Sequence, residues 1–160
     1  MGTVQYDFSN ETLLVTGASS GIGQLVCEQF AASGGNVVCI GRNRERLDKV
    51  VSAINESGAG SAVAVVGDVS QGSTFDEAIE ITRATFGALN YAFNCAGTEG
   101  PLSQISDTSD SEFAEMINTK LTGCFLGLRA QTTAMRETGG VIVNMVGSFG
   151  HVGYPYMGAY

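Results

Sequence analysis

The sequence predicts an α/β domain built on a doubly wound parallel sheet, with about five strands and helices on both faces. Three observations predict it. Short apolar runs such as TLLVT at 12–16 and NVVCIG at 36–41 alternate with longer segments of helical period. Strands that are apolar along their whole length are covered on both faces, which a parallel sheet flanked by helices provides. The 160 residues include 22 glycines but only 2 prolines, a balance that suits many tight strand-to-helix turns joining unbroken elements.

Taken in order, the run 12–16 breaks at Gly17, and 21–33 then carries Ile22, Leu25, Val26 and Phe30 at helical spacing. A second strand spans 36–41. A helix over 44–57 places Leu47, Val50, Val51 and Ile54 on one face. The third strand, 62–66, ends at Gly67-Asp68, and a helix over 74–86 carries Phe75, Ala78, Ile79, Thr82 and Phe86. A fourth strand covers 89–95. The polar stretch 98–110 reads as a loop into a long helix, 112–136, and a fifth strand covers 141–146. With no repeat, linker or low-complexity tract, residues 1–160 read as a single domain.

Charge and cysteine usage narrow the function classes. The net charge is −8 and no stretch is rich in Lys and Arg, so no nucleic-acid partner is expected. No run of eighteen apolar residues and no basic-then-apolar leader is present, so neither a membrane span nor a signal peptide is expected. Met1-Gly2 begins like a myristoylation motif, but its Ser/Thr position is Tyr6. Cys27, Cys39, Cys95 and Cys124 form no C-x-x-C pair and sit in apolar runs. They read as buried free thiols of a cytoplasmic protein, with no metal site.

The first strand runs into Thr16-Gly17-Ala18-Ser19-Ser20-Gly21-Ile22-Gly23. Gly17 suits a sharp turn off the strand, Gly21 a close approach of backbone to a pyrophosphate, and Gly23 close packing of the helix. The helix start offers unpaired N–H groups to the anion, and Ser19 and Ser20 add hydroxyl donors. Because this turn follows a strand and opens a helix, it reads as the phosphate-binding turn of a Rossmann-like dinucleotide site rather than a ligand-free Gly/Ser turn. Eighteen residues past Gly23 the second strand ends at Gly41-Arg42-Asn43. A dinucleotide site places an acid near here for the ribose hydroxyls. An Arg suits a 2′-phosphate instead, which favours NADP over NAD; a solvated Arg at a helix start is the other reading.

These residues, in this order, resemble the signature of the short-chain dehydrogenases/reductases. TGASSGIG at 16–23 is joined by Gly67-Asp68-Val69, by Asn94-Cys95-Ala96-Gly97, by Leu121-Thr122-Gly123 and by GVIVN at 140–144. The resemblance runs from about Glu11 to Tyr160. It implies that Asp68 contacts the adenine ring with Val69 beside it, and that Asn94, Ala96 and Gly97 line the cofactor path. Asn94 has a second, equally favoured reading, which is to lock the fourth strand in place. Arg42 falls where NADP-preferring members carry a basic residue.

Family chemistry uses a Tyr as general acid/base, a Lys four residues later that tunes it, a Ser that polarises the substrate oxygen, and an Asn in the long helix. A free Tyr titrates near 10, hence the need for a cation. Ala159-Tyr160 matches the start of the Tyr-x-x-x-Lys motif, which makes Tyr160 the candidate acid/base and suggests a domain truncated at its C-terminal side. The usual Ser position holds Gly147, leaving Ser148 as the candidate. The Asn position holds Lys120. Asn118, two residues earlier, faces elsewhere on a helix and does not inherit the role. His151, the lone histidine, lies in a Gly-rich loop and is expected to be solvated rather than to face a substrate.

The expectation is thus an oxidoreductase transferring a hydride between NADP(H), or NAD(H), and a carbonyl or secondary alcohol of a small organic substrate, with turnover impaired in this chain. The alternative is a non-catalytic dinucleotide-binding module, or a degenerate partner of a complete subunit, which Lys120 and Gly147 favour. Homo-oligomerisation through the helix near 112–136 is expected from its apolar face.

Overall fold

The computed structural model describes residues 5–148 and 152–160. His151 lies outside them. The chain alternates strand and helix: β1 (Thr12–Thr16), α1 (Gly21–Ala32), β2 (Asn36–Gly41), α2 (Arg44–Ser57), β3 (Ser61–Val66), α3 (Gly72–Phe86), β4 (Tyr91–Asn94), α4 (Asp110–Ile117), α5 (Gly123–Ala134) and β5 (Val141–Asn144). Every strand pair is parallel and the sheet order is β3-β2-β1-β4-β5.

Although the strands are apolar throughout, side chains still alternate between the two faces. Leu13, Val15, Val37 and Cys39 pack with Cys27, Phe30, Leu47 and Val50 of α1 and α2. Leu14, Val38, Ile40 and Ala92 pack on the other face with Phe75, Ala78 and Ile79 of α3, and with Met135 beyond α5. Below the sheet, Phe8 stacks on Phe30 at 4.3 Å between ring centroids and meets the edge of Tyr91 at 5.7 Å, which anchors the entry into β1.

The expected helix over 112–136 is one continuous path with an interruption. α4 starts earlier, at Asp110, because Ser109 closes a capping box: its Oγ accepts the Glu112 N–H, and the Glu112 carboxylate accepts the Ser109 N–H at 2.9 Å. A π-turn, Asn118–Thr122, then separates α4 from α5. At Gly123 the path presses on the loop after β3, where an added Cβ would stand 2.8 Å from Val69 Cγ2. β4 and β5 are shorter than expected. Asn90, read as strand, instead ties three segments together: its side chain accepts the Thr12 N–H and its carbonyl the Val141 N–H. Two of the four cysteines, Cys27 and Cys39, are buried, with Sγ atoms 3.7 Å apart; Cys95 and Cys124 are half-buried, and all four are free. Among the described residues no helix is long and apolar enough to cross a membrane.

Candidate dinucleotide and active site

β1 has β2 on one side and β4 on the other, so the chain reverses its direction of winding at β1. The crevice beyond the carboxyl ends of β1 and β4 is where ligands bind in open α/β sheets.

The glycine turn has the geometry its residues require. Gly17 has φ +71, and a Cβ on it would lie 3.0 Å from Ala96 Cα, so only glycine lets the β1 and β4 loops touch. A Cβ on Gly23 would fall on the Gly17 carbonyl oxygen, so that glycine seats α1 against the turn. Gly21 has φ +56 and open space where a Cβ would stand. Ser20 is the N-cap of α1 with extended backbone, and its side chain makes no capping hydrogen bond. Ser20 and Ile22 are exposed and Ser19 is half-buried. Ser19 also lies against the end of β2: a Cβ on Gly41 would stand 3.4 Å from Ser19 Oγ.

Thr16, quoted in the turn but given no role by the sequence reading, braces the crevice. Its buried Oγ1 accepts the N–H groups of both Cys95 and Ala96 at 3.0 Å. Gly97 stands more openly: among the described residues, only the Cys95 carbonyl lies within 4 Å of a notional Cβ. Burial pushes the Cys95 thiol up, against a weaker opposing bond from the Gly23 N–H.

At the other end of the crevice Arg42 is exposed. Its guanidinium lies 3.8 Å from the Glu115 carboxylate of α4, both side chains being 64% exposed. Asp68 accepts the Ser70 N–H at 2.8 Å, and chiefly this bond, with a smaller contribution from Arg42, holds its carboxyl below the ordinary range. Val69 beside it is buried. Asn43 caps α2, its side-chain oxygen accepting the Arg46 N–H at 2.9 Å. Glu115 is absent from the sequence reading, because nothing in residue spacing brings α4 over the end of β2.

Asn94 is fully engaged. Its amide exchanges two hydrogen bonds with the buried Gln131 of α5, at 2.9 and 2.8 Å, and donates to Asn144 of β5 at 2.9 Å. These bonds tie β4 to α5 and β5, as the locking reading of Asn94 expects. Gln131 had been one more residue of a helical stretch; only the tertiary pairing shows its part.

Tyr160 is half-buried at the end of a segment held by Ser103, whose N–H donates to the Tyr156 carbonyl at 3.0 Å. Its hydroxyl stands against the backbone of Gly147, and the Lys120 ammonium sits over its ring. Ser148 is exposed. Asn118, on the π-turn, is also exposed. Among the described residues no His/Cys/Asp/Glu group is arranged to hold a metal.

Comparison with known proteins agrees with this geometry. The short chain dehydrogenase family model matches residues 11–160. A 3beta-hydroxysteroid dehydrogenase of Mediterraneibacter gnavus is 34% identical over 159 residues, covering 99% of this chain and 57% of the relative. A cyclohexanol dehydrogenase of an Acinetobacter species is 32% identical over 154 residues, covering 96% and 61%. Among solved structures, a xylitol dehydrogenase with NAD+ bound superposes with a TM-score of 0.90 at 30% identity, covering 96% of this chain and 59% of that one. The chain therefore spans about three-fifths of the length of these relatives. With the turn, the sheet order and the matched segment in agreement, this chain belongs to the short-chain dehydrogenase/reductase family.

Proposed function

We propose that the protein containing this chain is an NAD(P)-dependent oxidoreductase that interconverts a carbonyl and a secondary alcohol on a small organic substrate, with NADP(H) favoured over NAD(H). The observation that supports the dinucleotide reading best is Gly21: left-handed backbone, and free space among the described residues, stand in front of an α1 N-terminus that the Ser20 side chain does not cap. That cradle fits a pyrophosphate. Gly17, Ser19, Ser20, Ile22 and Gly23 would form it; Arg42 and Asn43 would meet the adenosine ribose and its 2′-phosphate; Asp68 and Val69 would meet the adenine; and Ala96 and Gly97, with Asn94 beneath them, would line the path toward Tyr160.

When bound, the nicotinamide supplies or accepts the hydride. The chain's own contribution is to orient and to move a proton. In this reading the Tyr160 hydroxyl gives its proton to the substrate oxygen in reduction and takes it back in oxidation, while Ser148 polarises that oxygen. The Asn94–Gln131–Asn144 network holds the ends of β4 and β5, from which the crevice wall departs. The relatives' names support this class: they are dehydrogenases acting on hydroxyl groups of cyclic alcohols and steroids. Gly147 and Lys120, at the positions where the family pattern has Ser and Asn, favour a second reading, a dinucleotide-binding module without turnover.

Calorimetric titration of the purified chain with NADPH, and separately with NADH, tests the cofactor reading. Saturable binding with NADPH the tighter is expected. Failure of a chain folded by circular dichroism to bind either would overturn it. Reduction of a panel of cyclic ketones by NADPH then separates enzyme from module.

A further inference from the structure

Two departures from the family pattern, Lys120 and Gly147, meet on one side chain. The Lys120 ammonium lies 3.3 Å from the centroid of the Tyr160 ring, within the range of a cation–π contact. A Cβ on residue 147 would fall on the Tyr160 hydroxyl and stand 3.0 Å from Cζ and 3.2 Å from Cε1. The volume that any side chain at 147 would fill is thus occupied by the end of the tyrosine. Lys120 lies within the π-turn, Asn118–Thr122, and such turns in an α-helical path re-aim the side chains they carry. Gly123, which ends that turn, is pressed on Val69, so the turn has a fixed support. The segment carrying Tyr160 is held independently: Ser103 bonds the Tyr156 carbonyl, and Gly158 packs on Ile105, where a Cβ would stand 3.4 Å from Ile105 Cβ.

We propose that Lys120 and Gly147 form a paired seat for Tyr160, Lys120 acting as a positioning residue on the ring face and Gly147 leaving the space into which the hydroxyl fits. The two replacements are then one compensated change and not two separate losses. It follows that putting the family's Ser back at 147 expels Tyr160 from its seat instead of repairing the site. The proposal rests on Tyr160 being the acid/base only for its consequence in catalysis; the seat itself is a matter of geometry.

The chain has two lysines, Lys49 and Lys120, which makes a direct test available. Lys49 pairs with Glu45 on the exposed face of α2, away from any ring contact. In a carbon–proton NMR spectrum of the full chain labelled at the lysine ε carbon, two signals are expected, with that of Lys120 shifted upfield by the Tyr160 ring current. Tyr160→Leu should abolish the separation, and Gly147→Ser should reduce or abolish it. With ring-labelled tyrosine, the signal lost in Tyr160→Leu identifies Tyr160; it should move in Lys120→Met and return toward its original position in Lys120→Arg, which keeps the cation. Coincident lysine signals in the unaltered chain overturn the proposal, as does a separation that survives Tyr160→Leu or that stays undiminished in Gly147→Ser in folded protein. NADPH titration of the same samples reports separately: absent cofactor binding with an intact Lys120 signature overturns the proposed function and leaves the seat standing.

Discussion

Thr12 is wholly buried at the start of β1, and its Oγ1 has no hydrogen-bond partner among the described residues. Its backbone N–H, by contrast, is satisfied by Asn90. A buried hydroxyl without a partner carries a desolvation cost of roughly 1–3 kcal/mol, which an isosteric methyl avoids. Thr12→Val should therefore stabilise the domain by about 1 kcal/mol, seen as a higher urea midpoint at unchanged m-value. Thr16, four residues along the same strand, is the opposite case, because its hydroxyl serves two backbone donors and cannot be exchanged in the same way. A second residue-level expectation concerns Glu115. It stands 3.8 Å from Arg42 in an exposed pair, and under the proposed NADP(H) reading the 2′-phosphate would compete with it for the guanidinium. Since exposed pairs are worth about 0.2–1 kcal/mol, Glu115→Gln should tighten NADPH binding by at most about five-fold, leave NADH unchanged, and lose its effect at high salt. An equal gain for both cofactors would remove Arg42 from the 2′-phosphate role.

At the scale of elements, the passage from the loop after β4 into α4 depends on the capping box at Ser109. Bonds from Ser109, its side chain first and its N–H second, hold the Glu112 carboxyl below its ordinary range. A carboxylate whose folded value is depressed contributes stability above its unfolded value and loses that contribution as pH falls through the folded value. Ser109→Ala should lower stability at neutral pH, with the difference from the unaltered chain shrinking on acidification below the ordinary carboxylate range. Thermal melts of the two chains at stepped pH check this. Asp68, likewise depressed, titrates in the same sense but is held by Ser70, so it should not alter the difference between the two chains.

For the molecule as a whole, the sheet's two edges are unequal. β3 begins at an exposed serine, while β5 forms the other edge with Val141 and Val143 each 52% exposed and Val146 exposed just beyond it. An exposed apolar edge strand is a template for pairing with another chain. α5 adds exposed Phe125, and Leu121 stands on the π-turn before it. Concentration-dependent self-association of this chain is expected in sedimentation velocity, and Val143→Lys should weaken it without changing the circular dichroism spectrum. Association that is indifferent to Val143→Lys would move the interface to the helical face.

The fold class, the order of the elements and the glycine turn between the first strand and helix were legible in the sequence because each depends on local chemistry. Apolar runs of strand length, helical periodicity and glycines at fixed offsets act within a few residues of one another. Even the reasons assigned to Gly17 and Gly23 agree with what a Cβ would meet there. What the sequence could not show depends on residues far apart in the chain that the sheet order brings together. Thr16 reaches the loop after β4, Gln131 locks Asn94 across 37 positions, and Glu115 comes to Arg42 from a helix that begins nearly 70 residues later. The same holds for Lys120 and Gly147, which in sequence are two unrelated departures and in the folded chain face one tyrosine. Local propensity determines which elements form; long-range packing decides which side chains share a site, because that depends on the parallel crossovers and on a π-turn that no periodicity announces.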